Sequence, residues 1–182
     1  ACHSRDITQL KLNEKIIKDE RILLRTLIDN LPAIIYTKDI YSKKTLSNFA
    51  DYTRLGAKSE EEILGKDDSH FFSKEAAKIT AMEERQIFYG GKSIYDIEEF
   101  YERKDGTISW LLNTKIPLRN QHNEIVGLIG IGHNITERKI TEQALKKSET
   151  FNRGVLNSLS SHIAVIDATG NIVAVNQAWK RF

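Results

Sequence analysis

The chain has 182 residues, of which 40% are hydrophobic and 29% are charged, a balance typical of a globular protein and not of a disordered one. Its 27 basic and 25 acidic residues leave a formal net charge of +2, so nothing indicates binding to nucleic acid or to a membrane surface. The single cysteine, Cys2, excludes an internal disulfide and fits a reducing compartment, and we therefore expect a cytoplasmic protein.

The first predicted element is an amphipathic helix from Ile7 to Leu31, which ends before Pro32. Apolar side chains recur along it every seven residues, at Leu10, Ile17, Leu24 and Leu31. Such a stripe is typical of a coiled coil, so the sequence predicts a parallel homodimer through this helix.

Strands and helices then follow in separate groups. Two short strands are predicted at 33–38 and 45–49, and short helices follow, with Ser59 and Ser73 as their capping residues. Three longer strands are predicted at 93–103, 107–118 and 125–135. This order predicts an α+β fold, a five-stranded antiparallel sheet with short helices on one face and long amphipathic linker helices on either side.

The last part of the chain repeats the first. A second amphipathic helix is predicted from Thr136 to Leu159, and a hairpin follows it. Displacing the sequence by 128 residues, so that Ile7 falls on Ile135, aligns Arg25 with Arg153 and Asn48 with Asn176. The period predicts five segments: the end of a preceding unit at 1–8, a linker at 9–30, a complete domain at 31–136, an exit helix at 137–159 and the start of a truncated unit at 160–182. We expect this last segment to be disordered, or to complete its core on a neighbour.

Residues 31–139 resemble a PAS domain with its C-terminal PAC motif. The likeness lies in LPAIIYTKD at 31–39, EILGKD at 62–67, YERKDG at 101–106 and the final GLIGI and NITERK segments. The resemblance implies a sensory scaffold within a bacterial or archaeal protein that carries several PAS domains. Its exit motif assigns signal relay to Asn134, Ile135 and Thr136, although the family usually has aspartate at position 134.

The resemblance also implies a ligand pocket between the sheet and the helices. The large side chains that could line it are Tyr36, Phe49, Tyr52, Leu55, Phe71, Phe72, Ile79, Trp110, Leu112 and Ile129, together with His133. The alternative is that these side chains form only the core that a small domain needs. A small apolar or aromatic ligand is the hypothesis that this composition allows.

Known cofactors of the family are not favoured. A flavin adduct needs a cysteine within the domain, and b-type haem needs a histidine on the long helix, where residues 75–89 contain none. No paired cysteine and histidine ligands indicate a metal site. The cofactor therefore stays unassigned.

Two functions are left open. The first is a sensor-input module that passes a change through its helices to an effector, most simply a sensor histidine kinase, with a diguanylate cyclase as the alternative. The second is a ligand-free dimerisation and transmission module. No catalytic motif indicates that this stretch is itself an enzyme, so its partners are adjacent PAS units and a C-terminal effector. A buried polar group without a partner would favour the sensor-input module, and a fully packed interior would favour the ligand-free module.

Overall fold

The computed structural model describes residues 2–181, and their side chains from residue 9 onward. The chain divides into two compact units, Ala1–Ile135 and Thr136–Phe182. Within the described residues, the helices are too short or too polar to cross a membrane.

The first unit begins with helix α1, Cys2–Asn30, which is longer than predicted. The backbone from residue 2 to residue 8, expected to end a preceding unit, continues this helix. Ala1 and the side chains of residues 2–8 lie outside the described residues. The predicted stripe is exposed, with Leu10 at 60%, Ile17 at 51%, Leu24 at 61% and Leu31 at 48%.

Five antiparallel strands form the sheet of this unit. They are β1 (Ile34–Asp39), β2 (Lys44–Ser47), β3 (Ile94–Glu102), β4 (Ile108–Arg119) and β5 (Ile125–Asn134). The order across the sheet is β2-β1-β5-β4-β3, so β5 lies beside β1 and closes the N-terminal pair onto the C-terminal three. This confirms the predicted sheet.

The helices of the first unit lie between β2 and β3 in sequence. They are α2 (Phe49–Arg54), two 3-10 turns at Glu60–Glu62 and Asp68–His70, and α3 (Lys74–Gly90). Ser73 caps α3 as predicted, because its hydroxyl accepts from the amide of Ala76. The segment after Ser59 forms only a 3-10 turn, and Ser59 makes no side-chain capping bond there.

The core lies between these helices and one face of the sheet. Apolar side chains of the strands and helices meet there, including Ile34, Ile63, Ile87, Leu111 and Leu128. Gly130 of β5 allows Tyr36 to pack flat against the sheet, since a Cβ at position 130 would lie 2.2 Å from the tyrosine ring.

Asn48 fastens the end of α1 to this sheet. Its fully buried side chain donates from Nδ2 to the carbonyl oxygens of Ile28 at 2.7 Å and Ala33 at 2.8 Å. Its Oδ1 accepts from the amides of Ile35 and Asp51, both at 3.0 Å. One side chain therefore ties together α1, β1 and α2.

The second unit consists of α4 (Thr136–Ser158), β6 (Ala164–Ile166), β7 (Ile172–Val175) and α5 (Gln177–Lys180). The strands form an antiparallel hairpin, so the expectation that this segment is disordered is wrong. The alternative, that it completes its core on a neighbour, stays a prediction, since Ile166 and Ile172 are more than half exposed. Asn176 orders the hairpin: its Nδ2 donates to carbonyl oxygens at the end of α4 and in the segment before β6, and its Oδ1 accepts from the amides of Ile163 and Trp179.

Candidate functional site

Strand β4 shows how the interior is built. Side chains alternate between the two faces of a strand, and Leu111, Asn113 and Lys115 are the buried set. Trp110 and Leu112 therefore point to the other face, away from the helices. The interior of the domain thus contains the amide of Asn113 and the ammonium group of Lys115, and not the large apolar side chains of Trp110 and Leu112.

Only part of the predicted pocket lining reaches this interior. Tyr36, Leu55 and Phe72 are at most 5% exposed and belong to the core, and Tyr52 and Phe71 pack partly buried against it. These five residues pack in the core between the helices and the sheet, and whether they line a ligand pocket stays a prediction.

The structure places the others elsewhere. Ile129 and His133 alternate with the inward Leu128 and Gly130, so they share the outer face of the sheet with Trp110 and Leu112. Phe49 and Ile79 are 54% and 61% exposed on α2 and α3. The expectation that these side chains line an internal pocket is corrected here, because an apolar side chain in sequence does not reveal which face of the sheet the helices cover.

The first charged cluster of the interior centres on Lys38 of β1. Its ammonium is 1% exposed and pairs with Asp68 of the second 3-10 turn at 2.8 Å and with Glu84 of α3. Burial alone would lower the pKa of Lys38, but the two carboxylates outweigh it and raise the pKa. These pairs hold α3 against the sheet.

A second cluster lies beside it at the β2 end of the sheet. Lys44 is 2% exposed, pairs with the fully buried Asp51 and lies 4.0 Å above the ring centre of Tyr36. Arg54 bonds the other oxygen of Asp51 at 3.2 Å. Burial would raise the pKa of Asp51, yet Lys44 and Arg54 reverse this and lower it.

The third cluster joins α3 to β3 and β4. Lys115 is fully buried, and its Nζ lies 2.6 Å from a carboxylate oxygen of both Glu83 on α3 and Glu99 on β3. Glu99 also accepts from the Tyr101 hydroxyl at 2.7 Å and from Asn113. Burial would raise the pKa of Glu99, but its interactions with Glu83, Lys115 and Asn113 lower it to about 2.

A cleft and several unpaired polar atoms lie near these charged clusters. A cleft of about 250 Å³ lies beside the Lys38 cluster, between the β1–β2 turn, the second 3-10 turn and the alanines of α3, Ala77 and Ala81. Among the described side chains, buried atoms without a hydrogen-bond partner are Nε and Nη1 of Arg54 and Oδ1 of Asn113. The interior is therefore charged and not fully satisfied.

The relay residues lie where β5 ends. Asn134 is the last residue of β5, opposite Leu111, and Ile135 is 8% exposed and donates its amide to the carbonyl of Trp110 at 2.9 Å. Thr136 is the first residue of α4. The strand that crosses the centre of the sheet thus continues within one residue into the exit helix.

Sequence reasoning missed the ion pairs, although a signal for them existed. Lys38 is separated by an even number of residues from the apolar Ile34 and Tyr36 on β1, and so is Lys115 from Leu111 on β4. Strict alternation from a known core residue would have placed both ammonium groups inside. In the part of the chain that the structure describes, no group of three histidine, cysteine or acidic residues could hold a metal ion.

Residues 28–140 match the model of the protein family described as the PAS fold. Sporulation kinase A of Bacillus subtilis (strain 168) is 32% identical over 156 residues, which are 84% of this chain and 24% of that protein. The methanogenesis regulatory histidine kinase FilI of Methanothrix harundinacea (strain 6Ac) is 26% identical over 127 residues, covering 70% of this chain and 14% of that one.

Among solved structures, the PAS domain of BvgS from Bordetella pertussis superposes with a TM-score of 0.54 at 21% identity. The match covers 72% of this chain and 98% of that domain, and at this identity it concerns the fold alone. The chain spans less than a quarter of the length of either kinase relative.

Proposed function

The chain belongs to the PAS fold family, and we propose that it is the sensory input and signal-relay module of a sensor histidine kinase. The relatives support this effector, since sporulation kinase A and FilI are both histidine kinases. The chain itself contributes sensing and relay, and the kinase activity belongs to the longer protein.

The observation that carries the proposal is the set of ion pairs between α3 and the sheet. Lys38 and Lys115 stand on separate strands, and the side chain of each is buried and binds a carboxylate of α3. Electrostatic interactions are strong in a buried region, so a change in one charge or one ligand alters how α3 is held. The sheet that receives this change continues through β5 into α4.

Buried polar atoms without a protein partner support a sensor over a ligand-free module. Arg54 and Asn113 carry such atoms, and water, a ligand or a second conformation would supply the missing partner. The small apolar or aromatic ligand expected from the sequence stays a prediction, and the charged interior gives more support to a polar occupant.

The domain arrangement is part of the proposal. Residues 160–182 form the start of a following PAS unit, which is supported by the equivalent hydrogen bonds of Asn176 and Asn48. The exposed stripe of α1 supports a homodimer through this helix, and we place the module in the cytoplasm, next to further PAS units and the effector.

The test is a phase experiment on the exit helix in the full-length protein. A helix turns by about 100° per residue, so inserting two residues after Ser148 rotates everything beyond by about 200°, whereas seven residues restore the phase to within about 20°. We expect the two-residue insertion to change autophosphorylation at least tenfold and the seven-residue insertion to preserve it. Equal effects of the two insertions, with the PAS domain still folded, would contradict relay through α4.

A further inference from the structure

We propose that the proton is an input signal of this domain. It binds between the carboxyl groups of Glu83 and Glu99, the Glu83–Glu99 pair, and its binding changes how firmly α3 is held to the sheet. This inference rests on the proposed relay function and names the signal that enters it.

The composition of the pair favours one bound proton. Lys115 contacts one oxygen of each carboxyl group at 2.6 Å, so two carboxyl groups share a single ammonium. If both carboxyl groups were ionised, the second negative charge would have no cation of its own, and two like charges that share one site raise the pKa of one of them. With that proton in place, one ammonium faces one negative charge and the buried site is neutral.

Glu83 is the group that holds the proton. Glu99 receives hydrogen bonds from Tyr101, Asn113 and Lys115, all of which favour its ionised form. Glu83 has only Lys115 as a donor and faces the charge of Glu99. Burial and the hydrogen bond with Glu99 together raise the pKa of Glu83 to about 7.

The phenols and lysines around the pair do not compete for this proton. Tyr101 on β3 and Lys115 on β4 contact the pair, and Tyr36 on β1 interacts with Glu99. The neighbouring cluster consists of Lys38 on β1 with Asp68 on the 3-10 turn and Glu84 on α3. Burial raises the pKa of Tyr36 and of Tyr101 well above the ordinary value, so both phenols stay neutral. The carboxylates around Lys38 and Lys115 raise the pKa of both lysines despite their burial, so both stay charged.

Loss of the proton gives the response. Two carboxylates then share one ammonium, and an uncompensated negative charge remains in a buried site, which is costly. Glu83 is the member that can escape, since 24% of its side chain is exposed against 10% for Glu99. We expect it to swing into solvent and release α3 from β3 and β4, so acidification tightens the domain and alkalinisation loosens it.

The first experiment follows the proton itself. In the 182-residue chain with ¹³C-labelled glutamate carboxyl groups, the resonance assigned to Glu83 is expected to titrate with a midpoint near pH 7. Backbone amides of Thr80 and Ile87 on α3 should shift with the same midpoint. Glu83→Gln should hold these amides at their low-pH positions at every pH, and Glu75→Gln, exposed on the same helix, should titrate like the wild type.

A midpoint near the ordinary value of 4.5, or α3 amides that ignore the titration, would overturn the inference. An amide pattern of Glu83→Gln that matches the high-pH state would do the same, because the glutamine then fails to imitate the protonated carboxyl.

The second experiment separates this inference from the relay. In the full-length protein, the protonated fraction of a group with a pKa near 7 falls about tenfold between pH 6 and pH 8. Dividing the autophosphorylation rate of the wild type by that of Glu83→Gln cancels the pH dependence of the kinase core itself. This ratio should change with pH as the protonated fraction does. A ratio that stays constant while the α4 phase insertions still act would overturn the proton input alone. Inactive phase insertions together with an intact titration would instead count against the relay.

Discussion

Asn48 and Asn176, which stand 128 residues apart, make equivalent hydrogen bonds in the two units. Nδ2 of each donates back to the end of the preceding helix and to the turn that follows it. Oδ1 of each accepts a backbone amide at the start of the hairpin, from Ile35 in β1 or from Ile163 directly before β6. The same asparagine also caps the helix after the second strand in both units. The junction between helix and sheet is therefore formed within each unit by that unit's own asparagine.

The first prediction concerns Asn48→Ala. Removal of this side chain leaves the carbonyl groups of Ile28 and Ala33 and the amides of Ile35 and Asp51 without their partner in a buried site. We expect the free energy of unfolding of the first unit to fall by about 2–4 kcal/mol, since each unsatisfied buried group costs about 1 kcal/mol or more. Urea unfolding measures this, with the exposed Asn152→Ala as the control, and a loss below 1 kcal/mol would argue against the junction.

The second prediction is that Asn176→Ala acts only on the second unit. The hairpin β6–β7 is short and half exposed, so its order depends largely on the bonds of this side chain. We expect fast hydrogen exchange at the amides of Ile163 and Trp179, with exchange in β1 and β5 unchanged. If the hairpin amides keep their protection, some other contact holds the hairpin.

The third prediction concerns the ion pairs of Lys38. Lys38→Met keeps the length of the side chain but leaves Asp68 and Glu84 buried without their cation. Breaking a buried pair on one side costs about 3–5 kcal/mol, and we expect a loss of this size in urea unfolding. The exposed Lys78→Met on α3 should cost less than about 0.5 kcal/mol.

A compensating variant distinguishes the charge from the packing. Adding Asp68→Asn and Glu84→Gln to Lys38→Met removes the two stranded charges with little change in shape. Recovery of at least half of the lost stability is expected. No recovery would mean that the stem of the lysine, and not its charge, holds α3.

The strands and the sheet could be predicted because turns and apolar periodicity mark them locally. Pro32, Gly91 and the Asp105–Gly106 turn bound elements in the sequence and in the structure. The repeat also pointed to Asn48 and Asn176 before their hydrogen bonds were visible.

The interior could be predicted only in part, because a strand with apolar residues on both faces does not reveal which face is covered. On β4, Trp110 and Leu112 are the more apolar set, yet the helices cover Leu111, Asn113 and Lys115. Lys38 and Lys115 are tolerated inside because carboxylates of α3 and of other segments pair with them. Such partners are distant in sequence, so the pairs became visible only when the helix and the strands were brought together.

The fourth prediction is dimerisation through α1. Ile17 and Leu24 lie one heptad apart and are half exposed, so a second copy of the helix could bury both. Ile17→Asp with Leu24→Asp should convert a dimer into a monomer in sedimentation, while Asp19→Asn on the same helix should not change the mass. An unchanged mass of the double variant would place the interface elsewhere.

The fifth prediction is an unusual dependence of stability on pH. The pKa of Glu83 is raised from 4.5 to about 7 in the folded chain, so the folded state binds this proton more tightly than the unfolded state does. The free energy of unfolding should therefore fall as pH rises from about 4.5 to 7, with a slope of at most about 1.4 kcal/mol per pH unit. Glu99 acts in the opposite sense: its pKa is lowered to about 2, so its contribution is present above pH 4.5 and is lost as pH falls towards 2.

Urea unfolding between pH 3 and pH 8 tests both slopes at once. The wild type should be most stable near pH 4.5 to 5 as far as this pair is concerned, and Glu83→Gln should lose the decline above that pH while keeping the decline below it, because Glu99 remains. Glu75→Gln serves as the matched control on α3. A wild-type stability that rises steadily from pH 4.5 to pH 7.5 would show that Glu83 is ionised throughout and that Lys115 accommodates both charges.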